Sequence, residues 1–436
     1  RELLQGLDTP EERKAYLHKA DNNGATPLYI AAQNGHVNVI KELLEGLSDE
    51  ERLKYLHKAL NDGPTPLHIA AEEGYGDVII TLLEGLASGE RLKYLHKALN
   101  DGPTPLHIAA EKGYGDVIIA LLEGLASGER LTYLQMVNND GVTPLYIAAQ
   151  QGHANVVKEL LRNINEPLRY LQMATNDEVT PLFIAALNGQ VEVIKELLEG
   201  LETPEERKAY LHMANNDGIT PLYIAAQEGH VDVIEKLLAG LASDERLIYL
   251  EKANNVGVTP LYVAAQKGHD NVIEKLLEGL SQKDLIKYLN MVNNNGGPLY
   301  VAAQEGHADV IKKILEYLTP HQREIYLQMA TNNGASLLDV AREKGGFGVV
   351  SSLLEFLTDD EKGAMFLVGN NETSIPLSLE NEEVENEEVE NEEVEDEEVE
   401  DEENIKFEHF ISIWNGLDDE MKNEIKNEIM GMLAGK

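Results

Sequence analysis

The chain has 436 residues, with 36 Lys+Arg against 77 Asp+Glu, a formal net charge of -41, and no cysteine. That charge repels nucleic-acid backbones and anionic membranes and favours a partner protein with a basic surface. The missing cysteines exclude a disulfide framework, thiolate catalysis and Cys-ligated zinc, and with no apolar run of about 18 to 20 residues and no signal-peptide layout the expected location is cytoplasmic.

The first residues, Leu3-Leu4-Gln5-Gly6-Leu7, match a later stretch, Leu43-Leu44-Glu45-Gly46-Leu47, and the chain starts at Arg1 without Met, so a fragment or processed chain is expected. From there one pattern returns. Prolines 27, 66, 105, 144, 181, 221, 260 and 298 open successive units, and Leu337 takes that place in a ninth; the spacing stays between 37 and 40 residues. Such regularity predicts stacked supersecondary repeats sharing one elongated core. We number these repeats 1 to 9.

In repeat 1, Thr26-Pro27 reads as an N-cap followed by proline at the first helical position, where a missing N–H costs nothing. Leu28, Ile30, Ala31 and Ala32 follow, and Gly35 ends this first helix in left-handed geometry. Val37, Val39, Ile40, Leu43 and Leu44 then form the apolar stripe of a second helix. Ser48 with Glu51, and Thr203 with Glu206, are capping boxes that predict a third, short helix. It carries a tyrosine to the same place in each repeat: 16, 55, 94, 133, 170, 210, 249, 288 and 326. These tyrosines suit core packing; a stacking platform for bases or proline-rich peptides is the alternative. Asn/Asp-Gly pairs such as Asn139-Asp140-Gly141 then predict a turn into the next repeat.

Thr-Pro-Leu-His-Ile-Ala-Ala-(two residues)-Gly-His/Tyr, followed by Val-Ile-(two)-Leu-Leu, resembles the ankyrin repeat. The expected fold is therefore all-α: an ankyrin-type solenoid of three-helix repeats over residues 1–379, an acidic disordered linker over 380–403 and a short helical tail over 404–436. Family units are about 33 residues long; the extra length here is the third helix. The family's histidine after Thr-Pro-Leu survives at His68 and His107, while Tyr29, Tyr146, Phe183, Tyr223, Tyr262 and Tyr300 stand elsewhere, which puts the usual contact back to the threonine in doubt in those repeats. The repeat at Thr180 follows a link two residues short, lacks the turn glycine at Asp177-Glu178 and has Leu187 and Gln190 in place of Gln and His, so a bend or specialised contact is expected there.

The resemblance implies partner binding by the concave face: the turn residues Asp62, Asp101, Asp140, Asp177 and Asp217, and the pairs ending the first helices. Those pairs are Gln33-Asn34, Glu72-Glu73, Glu111-Lys112, Gln150-Gln151, Gln227-Glu228, Gln266-Lys267 and Gln304-Glu305, with Leu187 in repeat 5. The bland alternative for each is a solvated helix end. The 13 histidines recur with the scaffold period, so copies face separate layers and do not converge on one metal. No phosphate loop, nucleophile elbow or His-Glu-x-x-His is present. No cofactor and no enzymatic activity are expected.

After Pro376, 39 residues beyond Leu337, a tenth repeat begins and breaks off. Between Glu380 and Glu403 stand 17 acids and no base. That segment suits a solubilising spacer or a lure for basic proteins. Beyond it Phe407, Phe410, Ile411 and Trp414, then Leu417, Met421, Ile425, Ile429 and Leu433, form narrow helical stripes, with Phe410, Trp414, Met421 and Ile425 as candidates for docking. A protein-binding scaffold is the leading reading, with a host-directed bacterial effector as its biology. The alternatives are the targeting part of a larger enzyme and a binder of basic proteins acting through the acidic segment.

Overall fold

Thr26 is extended, at φ -83° and ψ 161°, and the chain turns helical at Pro27. The first amides of a helix have no intrahelical partner, and the Thr26 carbonyl takes the first that does, that of Ile30. Pro27 has no N–H, Leu28 N–H donates to the Tyr55 hydroxyl (3.0 Å), Tyr29 N–H to Thr26 Oγ1 (3.2 Å) and Ile30 N–H to the Thr26 carbonyl (3.0 Å). Tyr55 lies in the third helix of the same repeat, so the added helix completes the cap of the first.

A computed structural model describes residues 10–356, apart from 59, 61–62, 98, 100–101, 163, 165–166, 202, 292–295 and 329–336. The acidic segment and the tail, including Phe410, Trp414, Met421 and Ile425, lie outside the described residues. In repeat 1 the helices are Pro27–Gln33, Val37–Leu44 and Asp49–Leu56. The same triplet recurs through repeat 7, which ends with Gln282–Leu289, and repeat 8 has Pro298–Glu305, Ala308–Glu316 and Pro320–Gln328. Repeat 9 opens with Leu337–Val340, passes through a π-turn, Ala341–Gly345, and continues as Gly346–Glu355. The fold is thus an all-α, ankyrin-type stack of three-helix repeats.

Two compact bodies divide the chain: Arg1–Ala225 with Glu235–Ala239, and Ala226–Ile234 with Gly240–Lys436. Within the first, the first helices of repeats 1 to 5 pack one on the next, and so do their second helices. Within the second body, the first and second helices of repeats 7, 8 and 9 follow the same rule. The core between the layers is built from the alanine pairs, such as Ala70-Ala71, and the Val-Ile-Leu-Leu stripes, such as Val78, Ile79, Leu82 and Leu83; these residues are at most 1% exposed.

The tyrosines belong to that core. Tyr55, Tyr94, Tyr133, Tyr170, Tyr210, Tyr249 and Tyr288 are 0% exposed, which leaves no ring face on which a ligand could stack. The hydroxyls of Tyr94, Tyr133, Tyr170, Tyr210 and Tyr288 face the amides of Leu67, Leu106, Leu145, Leu182 and Leu261, the counterparts of Leu28, just outside ideal hydrogen-bond geometry. Burial pushes these phenols well above their ordinary range, so they stay neutral.

The third helix also holds its neighbours. Arg246 Nη2 donates to the carbonyls of Lys275 (3.0 Å) and Glu278 (2.8 Å) at the end of the next repeat's second helix. Arg207 makes the same pair of bonds to Lys236 (3.2 Å) and Ala239 (2.8 Å), and Arg52 and Arg91 reach Glu84 and Glu123. A cation at a helix C-terminus satisfies orphan carbonyls and meets the negative end of the dipole.

Candidate partner-binding face

Before the first helices of repeats 4, 6 and 7 the turn is held by one side-chain oxygen. Asn138 Oδ1 accepts from Asp140 N (3.0 Å) and Val142 N (2.9 Å), Asn215 Oδ1 from Asp217 N (3.1 Å) and Ile219 N (2.9 Å), and Asn254 Oδ1 from Val256 N (3.1 Å) and Val258 N (2.9 Å). This is Asx-turn chemistry, and it leaves Asp140 and Asp217 exposed at the tips. In repeats 2 and 3 the corresponding positions are Leu60 and Leu99, and the bracket is reduced to the backbone bonds Leu60 N to Pro64 O (3.0 Å) and Leu99 N to Pro103 O (2.9 Å). Asp62 and Asp101 lie outside the described residues.

The link into repeat 5 is unusual at two points. Its preceding third helix is shortened to Leu168–Leu171. Glu178 stands where the turn glycine belongs and adopts φ 59°, the non-glycine residue with positive φ among the described residues. Thr175 Oγ1 replaces the Asx oxygen, accepting from Asp177 N and Val179 N, both at 3.3 Å. Asp177 is exposed, while Leu187, at the end of the first helix, is half-buried.

At the other end of the first helices, Asn34, Glu72, Glu73, Glu111, Lys112, Gln150, Gln151, Glu228, Gln266, Lys267, Gln304 and Glu305 are exposed, and Gln33 and Gln227 are half-buried. At Glu111, Gln150, Gln227 and Gln266 the backbone is held by the following repeat. His153 Nε2 donates to the Glu111 carbonyl (2.9 Å), His269 Nε2 to that of Gln227 (3.0 Å) and His307 Nε2 to that of Gln266 (3.0 Å); Asn188 Nδ2 does the same for Gln150 (3.1 Å). The helix-ending glycine makes room for this ring: a Cβ at Gly113, where φ is 79°, would stand 2.8 Å from His153. Periodic placement of the histidines after the glycine could be read from the chain; that they tie down the neighbouring carbonyl could not.

Charge along this row is mostly negative. In repeat 1, burial and then the Glu72 and Glu73 carboxylates of repeat 2 push the Tyr29 phenol up, and burial and Asp177 do the same to Tyr146. His68 and His107 carry the opposite shift. Both are nearly fully buried, and burial holds them at about 4. In each, Nδ1 accepts from the threonine amide (3.3 and 3.2 Å) and lies 2.7 or 2.8 Å from the threonine Oγ1, which fixes the proton on Nε2; in His107 that proton goes to the Val142 carbonyl (3.1 Å). Where tyrosine or phenylalanine stands instead, the threonine keeps its capping role by accepting from that residue's amide, as Thr143 does from Tyr146 (3.1 Å). Among the described residues no group of three or more His, Asp or Glu could hold a metal ion, and no helix is long and apolar enough to cross a membrane.

The match to a known family agrees with this geometry. The family described as ankyrin repeats (3 copies) matches residues 2–91, 54–128, 86–169, 131–207, 168–246, 205–285 and 241–323 in overlapping succession. The chain belongs to the ankyrin-repeat family, whose repeats generally mediate protein–protein interaction. Among solved structures, the human ASB11 ankyrin repeat domain aligns at 25% identity over 59% of this chain and 99% of its own, with a TM-score of 0.40. The ankyrin repeat domain of Bcl-3, a member of the IkappaB protein family, aligns at 24% identity over 58% and 99%, with a TM-score of 0.46. No curated protein matches by sequence.

Proposed function

We propose that the chain is a protein-binding scaffold with no catalytic activity of its own, and that it grips a basic partner along the row of first-helix ends and turn tips. The observation that carries this reading is the locking of that row. At Glu111, Gln150, Gln227 and Gln266 the helix end carries a carbonyl that the next repeat holds, so little conformational freedom is lost there when a partner binds. The contacts are Glu72, Glu73, Glu111, Asp140, Asp177 and Asp217 for cationic side chains, with the glutamine pairs supplying hydrogen bonds. A host-directed effector role is part of the same proposal, and the acidic segment of 17 carboxylates supports a second reading in which it recruits basic proteins by itself.

One experiment separates the two. A photo-crosslinking residue at Glu73 of the full chain captures the partner, which is then titrated against the full chain, against E72K/E73K/E111K, and against a chain lacking residues 380–403. Charge reversal is expected to weaken binding by more than about tenfold and to flatten its salt dependence. Binding that survives the reversal and vanishes with the acidic segment would overturn the proposal.

A further inference from the structure

Repeats 1 to 8 each place one side chain directly after the glycine that ends the first helix. In repeats 1, 4, 6, 7 and 8 it is histidine and in repeat 5 it is Gln190, but repeats 2 and 3 carry Tyr75 and Tyr114. His153, His269 and His307 are half-buried and spend Nε2 on a carbonyl of the repeat before, whereas Tyr75 and Tyr114 make no such bond and are both 38% exposed. A Cβ at Gly35 would stand 3.0 to 3.2 Å from three atoms of the Tyr75 ring, and one at Gly74 3.2 to 3.4 Å from three atoms of the Tyr114 ring. A ring met at its edge would hold one atom well ahead of the other two, so near-equal distances mean that each ring lies face-on to a glycine. What it exposes is the opposite face and the hydroxyl edge.

Carboxylates surround both rings. Glu72, Glu73 and Asp77 lie within three residues of Tyr75, and Glu111 and Asp116 within three of Tyr114; all five are exposed, and the same two stretches hold one cation, Lys112. Glu73 directly precedes Gly74, the glycine under the Tyr114 ring, so the acidic end of the first helix of repeat 2 adjoins both tyrosines. The first helices of repeats 2 and 3 pack against each other, and so do their second helices. Packed helices stand about 8 to 10 Å apart, which sets the step from one tyrosine to the next. A polyproline-type extended chain has three residues per turn and rises about 3.1 Å per residue, so its side chains at i and i+3 share one side and stand about 9 Å apart.

We propose that Tyr75 and Tyr114 form a two-step platform for an extended basic segment of the partner, with one arginine stacked on each ring and two residues between them, Arg-x-x-Arg. The inference rests on the basic-partner reading above and adds a register and a residue type to it. A guanidinium is planar and weakly hydrated, so it lies on an aromatic face at little desolvation cost. Its N–H groups then point outward from the ring toward the flanking carboxylates, which accept charge-assisted hydrogen bonds. A lysine ammonium gains less here, being a compact and strongly hydrated charge. The glycine behind each ring holds it in place, so the platform is formed before the partner arrives.

The test titrates two fluorescent peptides of identical composition against the full chain, at about 0.3 M salt to screen the acidic segment. One has its two arginines three positions apart in a Pro/Ser background, and the other has them adjacent. The spaced peptide is expected to bind about fivefold or more tighter and to slow amide exchange over residues 72–77 and 111–116. Y75Q/Y114Q, which installs the residue that repeat 5 uses, should bring the two peptides to equal affinity, while Y75F/Y114F keeps the ring faces and should preserve the preference. Lysine in place of both arginines should weaken the spaced peptide severalfold. Equal binding of the two peptides, or a preference that survives Y75Q/Y114Q, would overturn the platform and leave the basic-partner reading standing. Loss of the preference in Y75F/Y114F as well would overturn it too, by assigning the contact to the hydroxyls. If neither peptide binds, both readings fall.

Discussion

The Tyr55 hydroxyl accepts the amide of Leu28, 27 residues earlier, at 3.0 Å, and this bond closes the repeat on itself. The third helix is therefore tied to the first helix of its own repeat by a buried polar contact as well as by its buried tyrosine and leucine. Tyr55→Phe keeps the ring and strands the amide, and is expected to cost about 1 to 2 kcal/mol. Tyr55→Ala also opens a cavity and should cost about 3 to 5 kcal/mol. Urea unfolding of the full chain, with exchange at Leu28 as the local readout, measures both; equal losses for the two variants would show that the hydroxyl dominates.

Glu178 bears the φ of 59° that other repeats assign to glycine. A left-handed backbone costs an ordinary side chain roughly 1 kcal/mol. Glu178→Gly is accordingly expected to raise stability by up to about 1 kcal/mol, the relief being offset in part by the greater freedom of the unfolded chain. Thermal melts of the two chains decide it, and a lower melting temperature for the glycine variant would show that the turn holds Glu178 by contacts that outweigh its strain.

At Gly268 an added Cβ would stand 2.7 Å from the His307 ring, and φ is 79°. Gly268→Ala should therefore cost about 2 kcal/mol or more, part of it steric and part conformational. His307→Ala removes the steric part together with the bond to the Gln266 carbonyl. The double variant is expected to lose less than the sum of the singles by at least about 0.5 kcal/mol; strict additivity in the cycle would mean that ring and glycine do not interact.

His68 and His107 have folded values of about 4 against an ordinary 6.5. The unfolded chain takes up protons first as pH falls, so these residues cost nothing above about 6.5 and destabilise progressively from there down through about 4. Each contributes about 3 kcal/mol of loss once the pH is well below 4. H68Y/H107Y, which installs the residue used at this position in repeats 1, 4, 6, 7 and 8, is expected to flatten the stability profile between pH 6.5 and 4. A profile of the same slope in both chains would trace the acid sensitivity to other groups.

The repeat period, the three helices and the core role of the tyrosines were readable in the sequence because each rests on a local signal: Thr-Pro at a helix start, Gly at its end, Ser-x-x-Glu before the third helix. The partners of Tyr55, Arg246 and His153 were not, since all three reach backbone groups, and a backbone amide or carbonyl leaves no mark on residue identity. The exposed pairs ending the first helices could be placed, but Leu187 is half-buried and Asp62, Asp101 and the tail positions fall outside the described residues. The threonine contact doubted where histidine is replaced persists in another form in repeats 1, 4, 5, 6 and 7, because the cap needs only the amide at that position; in repeat 8 Gly297 stands in the threonine's place and offers no side-chain cap.

Tyr55 closes onto Leu28 within one repeat, while Arg52, Arg91, Arg207 and Arg246 reach forward and His153, His269 and His307 reach back, so these repeats present similar mating surfaces to their neighbours. A segment cut from one Asn-Gly turn to the next is in consequence an interchangeable cassette: copying or deleting it in whole multiples of about 39 residues restores like surfaces to like. Repeats 2 and 3, nearly identical from Tyr55–Leu92 to Tyr94–Leu131, are what such a copying event leaves behind. Length in this family member is thus a quantity that recombination can adjust in steps, with each step moving the reach of the array and sparing its internal joints.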